Sequence, residues 1–115
     1  MQKDFSLTIP TLRKAYANGI HPADIIQEIY GKISESKDFN IFISLYPIDE
    51  VITQAEALDK LDPSTPLWGI PFVVKDNIDA ADFETTAGCT AFAYKPERDA
   101  FAVRRLREAG ALLIG

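Results

Sequence analysis

The chain has 115 residues, with 12 Lys+Arg against 17 Asp+Glu and a formal net charge of -5. Its 47% hydrophobic and 25% charged residues suit one soluble domain at most and exclude collagen-like and disordered chains. The acidic balance, with no Lys/Arg block, argues against a protein that works by neutralising nucleic-acid phosphates.

Residues 11–18 (TLRKAYAN) carry Leu12, Ala15 and Tyr16 on one side and predict a short helix that Gly19 ends. His21 and Pro22 open the next helix; proline suits the first helical position, and Asp24 puts an acid in the first turn. Ile25, Ile26, Ile29, Tyr30 and Ile33 follow as an apolar stripe belonging to the core. Residues 40–46 (NIFISLY) predict either a short strand or an extended connection before Pro47. From 49 to 61, Val51, Ile52, Ala55, Leu58 and Leu61 predict a third helix, with Glu56 and Lys60 as an ion pair on its outer face. Residues 62–66 (DPSTP) read as a linker.

Residues 70–74 (IPFVV) predict a strand buried on both faces, with Pro71 near its start because proline lacks a ladder donor. Lys75, Asp76 and Asn77 close that run, and an irregular stretch follows over 80–98, a length uncommon in a compact domain unless it is functional. Asp99 is expected to cap a helix whose Phe101, Ala102, Leu106 and Ala109 face inward, and Gly110 to end it. Arg104, Arg105 and Arg107 lie on this helix and are offset by Glu97, Asp99 and Glu108. Residues 111–114 (ALLI) predict a second buried strand, so strand, connection, helix and strand begin an α/β sheet with parallel strands. The expected organisation is a mostly helical lead over 1–61, the linker over 62–66, and the start of an α/β core over 67–115. Two strands of this apolar kind need more sheet and helix to cover them, so the sequence reads as an incomplete domain.

Lys75, Asp76 and Asn77 stand at the carboxyl end of a predicted strand, where open α/β sheets place their ligands, and Thr85, Thr86, Ala87 and Gly88 follow. Desolvation after Phe72, Val73 and Val74 would push a lysine pKa down and let Lys75 act as a base. Equally, Lys75 could end the strand paired to Asp76 or another carboxylate. Asp76 and Asn77 either orient Lys75 or tie the turn, and Thr85 and Thr86 carry the same two readings. Cys89, the only cysteine, excludes an internal disulfide and a Cys zinc cluster; without a neighbouring His it reads as a small buried side chain. His21, the only histidine, makes a Ser/His/Asp triad within this chain untenable and reads as a helix-start residue. Trp68 and Phe72 read as core or pocket wall. Residues 1–5 (MQKDF) lack the apolar core of a signal peptide, and no apolar run approaches membrane-spanning length, which gives a cytoplasmic reading.

Residues 66–79 (PLWGIPFVVKDNID), then Thr85, Thr86, Ala87 and Gly88, then residues 99–103, Leu106, 109–111 and 114–115, resemble the opening of the amidase signature family. Within that family, residues 91–100 (AFAYKPERDA) and the lead with Leu12, Arg13 and Tyr16 are most similar to allophanate hydrolases. The resemblance implies a mixed-sheet α/β fold and a Ser-cisSer-Lys hydrolase. In such an enzyme Lys75 matches the catalytic lysine, a neutral amine that takes a proton from the nucleophilic serine through a bridging serine in a cis peptide. Backbone N–H groups of a Gly/Ser-rich loop would hold the oxyanion. The resemblance further implies no metal or organic cofactor and a small amide substrate. For allophanate hydrolases that substrate is allophanate, a urea carboxylate whose deamination releases ammonia toward carbon dioxide. It implies no membrane partner, admits a homo-oligomer, and leaves open another amidase of the family or the glutaminase subunit of a tRNA-dependent amidotransferase, the one case that admits nucleic acid.

The family's Gly/Ser-rich segment lies downstream of the motif that ends at Ile114 and Gly115. None of Ser6, Ser34, Ser36, Ser44 or Ser64 sits in such a loop. The lysine is therefore present without its serines, and these 115 residues alone are expected to be inactive. A reading of another class is a non-catalytic remnant that needs a partner to cover its apolar edges.

Overall fold

The computed structural model describes residues 6–115; the reading of residues 1–5 as lacking a signal falls outside them. Helix α1 is Ile9–Ala17. It starts earlier than the apolar pattern suggests because Thr8 caps it, its Oγ1 accepting from the Thr11 N–H at 3.3 Å. Gly19, at φ +98°, turns the chain out of it. Helix α2 is Pro22–Glu35 and opens on a capping box. The Ala23 N–H donates to His21 Nδ1 at 3.0 Å, and the His21 N–H donates to Asp24 at 3.2 Å.

Helix α3 is Ile48–Ala57, and the chain then tightens into a 3-10 turn over Leu58–Lys60. This corrects the expected Glu56–Lys60 ion pair, which is not among those formed by the described residues; at three residues per turn, positions four apart no longer share a face. Residues 40–46 form the extended connection and no strand. Only its end joins the sheet, where the Tyr46 N–H donates to the Ile114 carbonyl at 2.9 Å.

Strands β1 (Pro71–Phe72) and β2 (Leu112–Leu113) pair in parallel, with Pro71 opposite Leu112 and Phe72 opposite Leu113. Between them run the irregular stretch, with a 3-10 turn at Thr90–Phe92 and an isolated antiparallel bridge between Thr85 and Tyr94, and then helix α4, Phe101–Glu108. The predicted α/β class and parallel pairing are those observed. The expectation that β1 is buried on both faces is corrected, because Val73 is 57% exposed. Among the described residues β1 has only β2 beside it.

Helix α4 is also turned relative to expectation. Phe101 is 70% exposed and Ala102 is exposed, while Val103 is buried and Leu106 and Arg107 are half-buried. At 100° per residue, Val103, Leu106, Arg107 and Gly110 share the inward face. Ala100 takes the cap position without a side-chain bond. Asp99 instead accepts the Ala81 N–H at 2.8 Å and faces Arg107 Nε at 3.1 Å. Arg104 and Arg105 pair with Glu108 at 3.5 and 3.9 Å, so Asp99 and Glu108 offset the helix's cations as expected, whereas Glu97 is in no ion pair among the described residues. Gly110 does end the helix, at φ +93°; a Cβ there would lie 2.9 Å from Trp68 Cα.

The main core joins α2, α3, α4 and β2 through Ile26, Val51, Ala55, Val103 and Leu113. A smaller cluster of Leu12, Ile25 and Ile70 fastens α1 against α2 and the approach to β1. Trp68 packs edge-on against Tyr16 at 5.5 Å and donates Nε1–H to the Leu58 carbonyl at 3.1 Å. No helix among the described residues is long and apolar enough to cross a membrane.

Candidate active site

The chain leaves β1 with the Val74 N–H bonded to the Gly115 carbonyl at 3.1 Å, and then turns, the Ile78 N–H donating to the Lys75 carbonyl at 3.0 Å. This places Lys75, Asp76 and Asn77 on a cavity of about 470 Å³ beyond the carboxyl end of the strand. Phe42, Val74 and Phe83 supply apolar wall, and Ala87 and Gly88 reach the cavity as well.

Lys75 itself is exposed. The desolvation expected from its apolar neighbours is therefore not supplied by the described residues, since Val73 also faces out. Nor is Lys75 paired to Asp76 or to any other carboxylate among the described residues. Asp76 is engaged elsewhere: its carboxylate accepts the Thr86 hydroxyl and, at 3.5 Å, the Gly88 N–H. Its backbone carbonyl accepts the Ala87 N–H at 3.0 Å. The Thr86 bond holds the Asp76 carboxyl below its ordinary pKa. Asn77 lies on the cavity wall, exposed.

Thr85 and Thr86 are 3% and 7% exposed. Thr85 donates its hydroxyl to Asp79 Oδ1 at 2.8 Å, and the same oxygen accepts the Tyr94 hydroxyl at 2.5 Å. Backbone bonds of 2.8 and 3.1 Å join Thr85 and Tyr94 in both directions. Asp79 raises the Tyr94 pKa by stabilising its neutral hydroxyl. Two carboxylates three residues apart thus each hold one of two consecutive threonines. Ala87 and Gly88 follow at φ +51° and +76°. Asp79 and Tyr94 were not singled out from the sequence as site residues. The sequence signal for Asp79 was an Asp at the third position after Asp76 on the same turn.

Ser44 is the one serine on this cavity's wall, half-buried in the extended connection rather than in a Gly/Ser-rich loop. Cys89 is exposed, correcting the buried reading, because the left-handed Ala87 and Gly88 swing the chain outward before it. His21 is a helix-start residue as expected, but it also has a distant carboxylate, Asp59 Oδ1, 2.9 Å from Nε2. Among the described residues no group of three or more His, Cys, Asp or Glu could hold a metal. The arrangement thus offers one exposed amine beside a hydrogen-bonded loop.

The family model described as Amidase matches residues 24–115. Residues of this chain are 41% identical over 78 positions to urea amidolyase of Saccharomyces cerevisiae, covering 66% of this chain and 4% of that protein. Over 114 positions they are 35% identical to the glutamyl-tRNA(Gln) amidotransferase subunit of Nitratidesulfovibrio vulgaris, covering 96% and 23%. The fold is similar to Kluyveromyces lactis allophanate hydrolase, with a TM-score of 0.73 at 31% identity, over 90% of this chain and 18% of that one. It is similar also to the peptide amidase of Stenotrophomonas maltophilia, with a TM-score of 0.78 at 29% identity, over 97% and 24%. The chain spans less than a quarter of each of these relatives. With the family model matched over most of the chain, the chain belongs to the amidase signature family.

Proposed function

We propose that this segment supplies the lysine end of an amide-hydrolysing site, with Lys75 as the base. The nucleophilic serine and the bridging serine then come from polypeptide outside these 115 residues. The observation that carries the reading is Lys75 itself. It stands on a cavity beyond the carboxyl end of β1, without a carboxylate partner among the described residues. Asp76, Asn77, Thr85 and Thr86 support it by shaping the adjoining turn and loop. In this reaction the neutral amine receives the nucleophilic serine's proton through the bridging serine, the serine oxygen bonds the amide carbon, that proton passes on to the amide nitrogen as the carbon–nitrogen bond breaks and ammonia leaves, and water then hydrolyses the acyl-enzyme.

The substrate favoured is allophanate, on the strength of the likeness to urea amidolyase and allophanate hydrolase. A second reading, with glutamine as the amide and a tRNA-bound partner, is supported by the longer likeness to the amidotransferase, over 114 residues against 78. The setting is cytoplasmic in either case, consistent with a lone free cysteine. Self-association is also part of the proposal, because several large apolar side chains are exposed.

The test is an ammonia-release assay on two preparations. The purified 115-residue chain should release no ammonia from allophanate or glutamine. The native protein that carries this segment should do so, and Lys75→Ala in it should abolish turnover with an unchanged circular dichroism spectrum. Turnover retained in Lys75→Ala would refute the base assignment. Release from glutamine alone would favour the second reading, and release by the isolated chain would show that no outside serine is needed.

A further inference from the structure

The loop that brings Ala87 and Gly88 to the cavity leaves and returns at one place, the Thr85–Tyr94 bridge. Asp79 sits at that place. Its Oδ1 accepts both the Thr85 hydroxyl at 2.8 Å and the Tyr94 hydroxyl at 2.5 Å, one from each arm. Its backbone carbonyl accepts the Ala100 N–H at 2.9 Å, which ties the same residue to the entry of α4. Asp79 does not line the cavity, although Ile78 and Ala80 on either side of it do. Asp76 holds the tip of the loop, accepting the Thr86 hydroxyl and the Ala87 and Gly88 N–H groups, whereas Asp79 is the side chain that joins its two arms. The loop is irregular, it passes through two successive left-handed residues, and Phe92, Tyr94 and Cys89 are exposed.

We propose that Asp79 is a positioning residue. By clamping both arms of the 85–94 loop through Thr85 and Tyr94, it sets where the Ala87 and Gly88 backbone stands against Lys75. The consequence for turnover rests on the reading of Lys75 as the base; the clamp itself does not. Charge-assisted hydrogen bonds to a partly exposed carboxylate are stronger than neutral ones, and two converge on one oxygen here. Asparagine can keep that acceptor oxygen but not its charge, whereas alanine keeps neither. Removing either hydroxyl alone, as Tyr94→Phe or Thr85→Val, leaves the ring or the side-chain shape in place.

The experiment is residue-resolved amide hydrogen exchange on the full chain and on Asp79→Ala, Asp79→Asn, Tyr94→Phe and Thr85→Val. The reporter is the Ala87 N–H, bonded to the Asp76 carbonyl. The reference is the Leu112 N–H, bonded to the Ile70 carbonyl in the sheet. Ala87 is expected to exchange about tenfold faster in Asp79→Ala, with Leu112 unchanged, as local opening requires. Asp79→Asn should restore most of the protection, and Tyr94→Phe should lose part of it. Unchanged Ala87 exchange in both Asp79→Ala and Tyr94→Phe overturns the clamp. Equal acceleration at Ala87 and Leu112 in all four variants also overturns it, since the role would then be general stability. In the native amidase, Asp79→Ala should lower kcat about tenfold and leave KM in place, the mark of a misplaced group rather than lost binding. If Lys75→Ala keeps its turnover while the exchange pattern holds, the base assignment fails and the clamp survives.

Discussion

Lys75 and Asp76 are neighbours in sequence that enter different worlds. The amine faces solvent at the cavity, whereas the carboxylate turns to the Thr86 hydroxyl and the Gly88 N–H. An ion pair between adjacent residues was one expectation, and the threonine won because a buried hydroxyl without a partner costs more than a solvated charge without one. The consequence is a local pH dependence. The folded-state pKa of Asp76 lies below its ordinary value of 3.8, so the loop bonds it accepts are present above that value and are lost as pH falls through the lower, folded one. In a titration followed by the Gly88 amide resonance, the midpoint is expected below 3.8. Thr86→Val should bring the midpoint back up toward the ordinary value. A wild-type midpoint at or above 3.8 would contradict the assignment of that hydrogen bond.

At the scale of elements, α4 shows where a periodic pattern is readable and where its phase is not. The helix, its glycine stop and the strand after it follow from local signals. The inward face does not, because the apolar Phe101 and the charged Arg107 both fit a 3.6-residue period and compete for the core side. Arg107 takes it because Asp99, just before the helix, and two groups distant in sequence meet it there. Its Nε lies 3.1 Å from Asp99, and its Nη2 lies 3.5 Å from Asp82 and 3.3 Å from the Tyr46 hydroxyl. Its aliphatic stem covers apolar surface while Nη2 donates to Asp82 and the Tyr46 hydroxyl, and the buried Nε faces Asp99 without a hydrogen bond. Val103→Ala should then cost about 2 kcal/mol in urea denaturation by opening a core cavity. Phe101→Ala, at an exposed position, should change stability by no more than about 0.5 kcal/mol. The reverse order would restore the face expected from sequence. The first strand shortened for a related reason. Residues 70–74 have the composition of a central strand, but that composition is realised only where sheet flanks both sides.

For the whole molecule, Phe39, Ile41, Ile43 and Val73 are exposed, and Ile41, Ile43 and Val73 line the Lys75 cavity. An apolar rim of this kind drives association in water. Sedimentation velocity should show self-association that increases with concentration, weakened by Ile41→Lys together with Ile43→Lys. A monomer unaffected by concentration would count against it.

What the amino-acid sequence determined by itself is the set of features that act over a few residues. The helix start at His21, Pro22 and Asp24, the stops at Gly19 and Gly110, the helical stripes, and a lysine placed just after an apolar strand all belong here. Each depends on backbone geometry and side chains within about one turn of one another, so spacing alone reveals it. The tertiary structure decided the rest. The Asp79–Tyr94 bond spans 15 residues and the His21–Asp59 pair 38, and neither partner announces the other in sequence. The exposure of Lys75 and the phase of α4 likewise depend on what packs across from them, and only the folded chain brings those groups within reach.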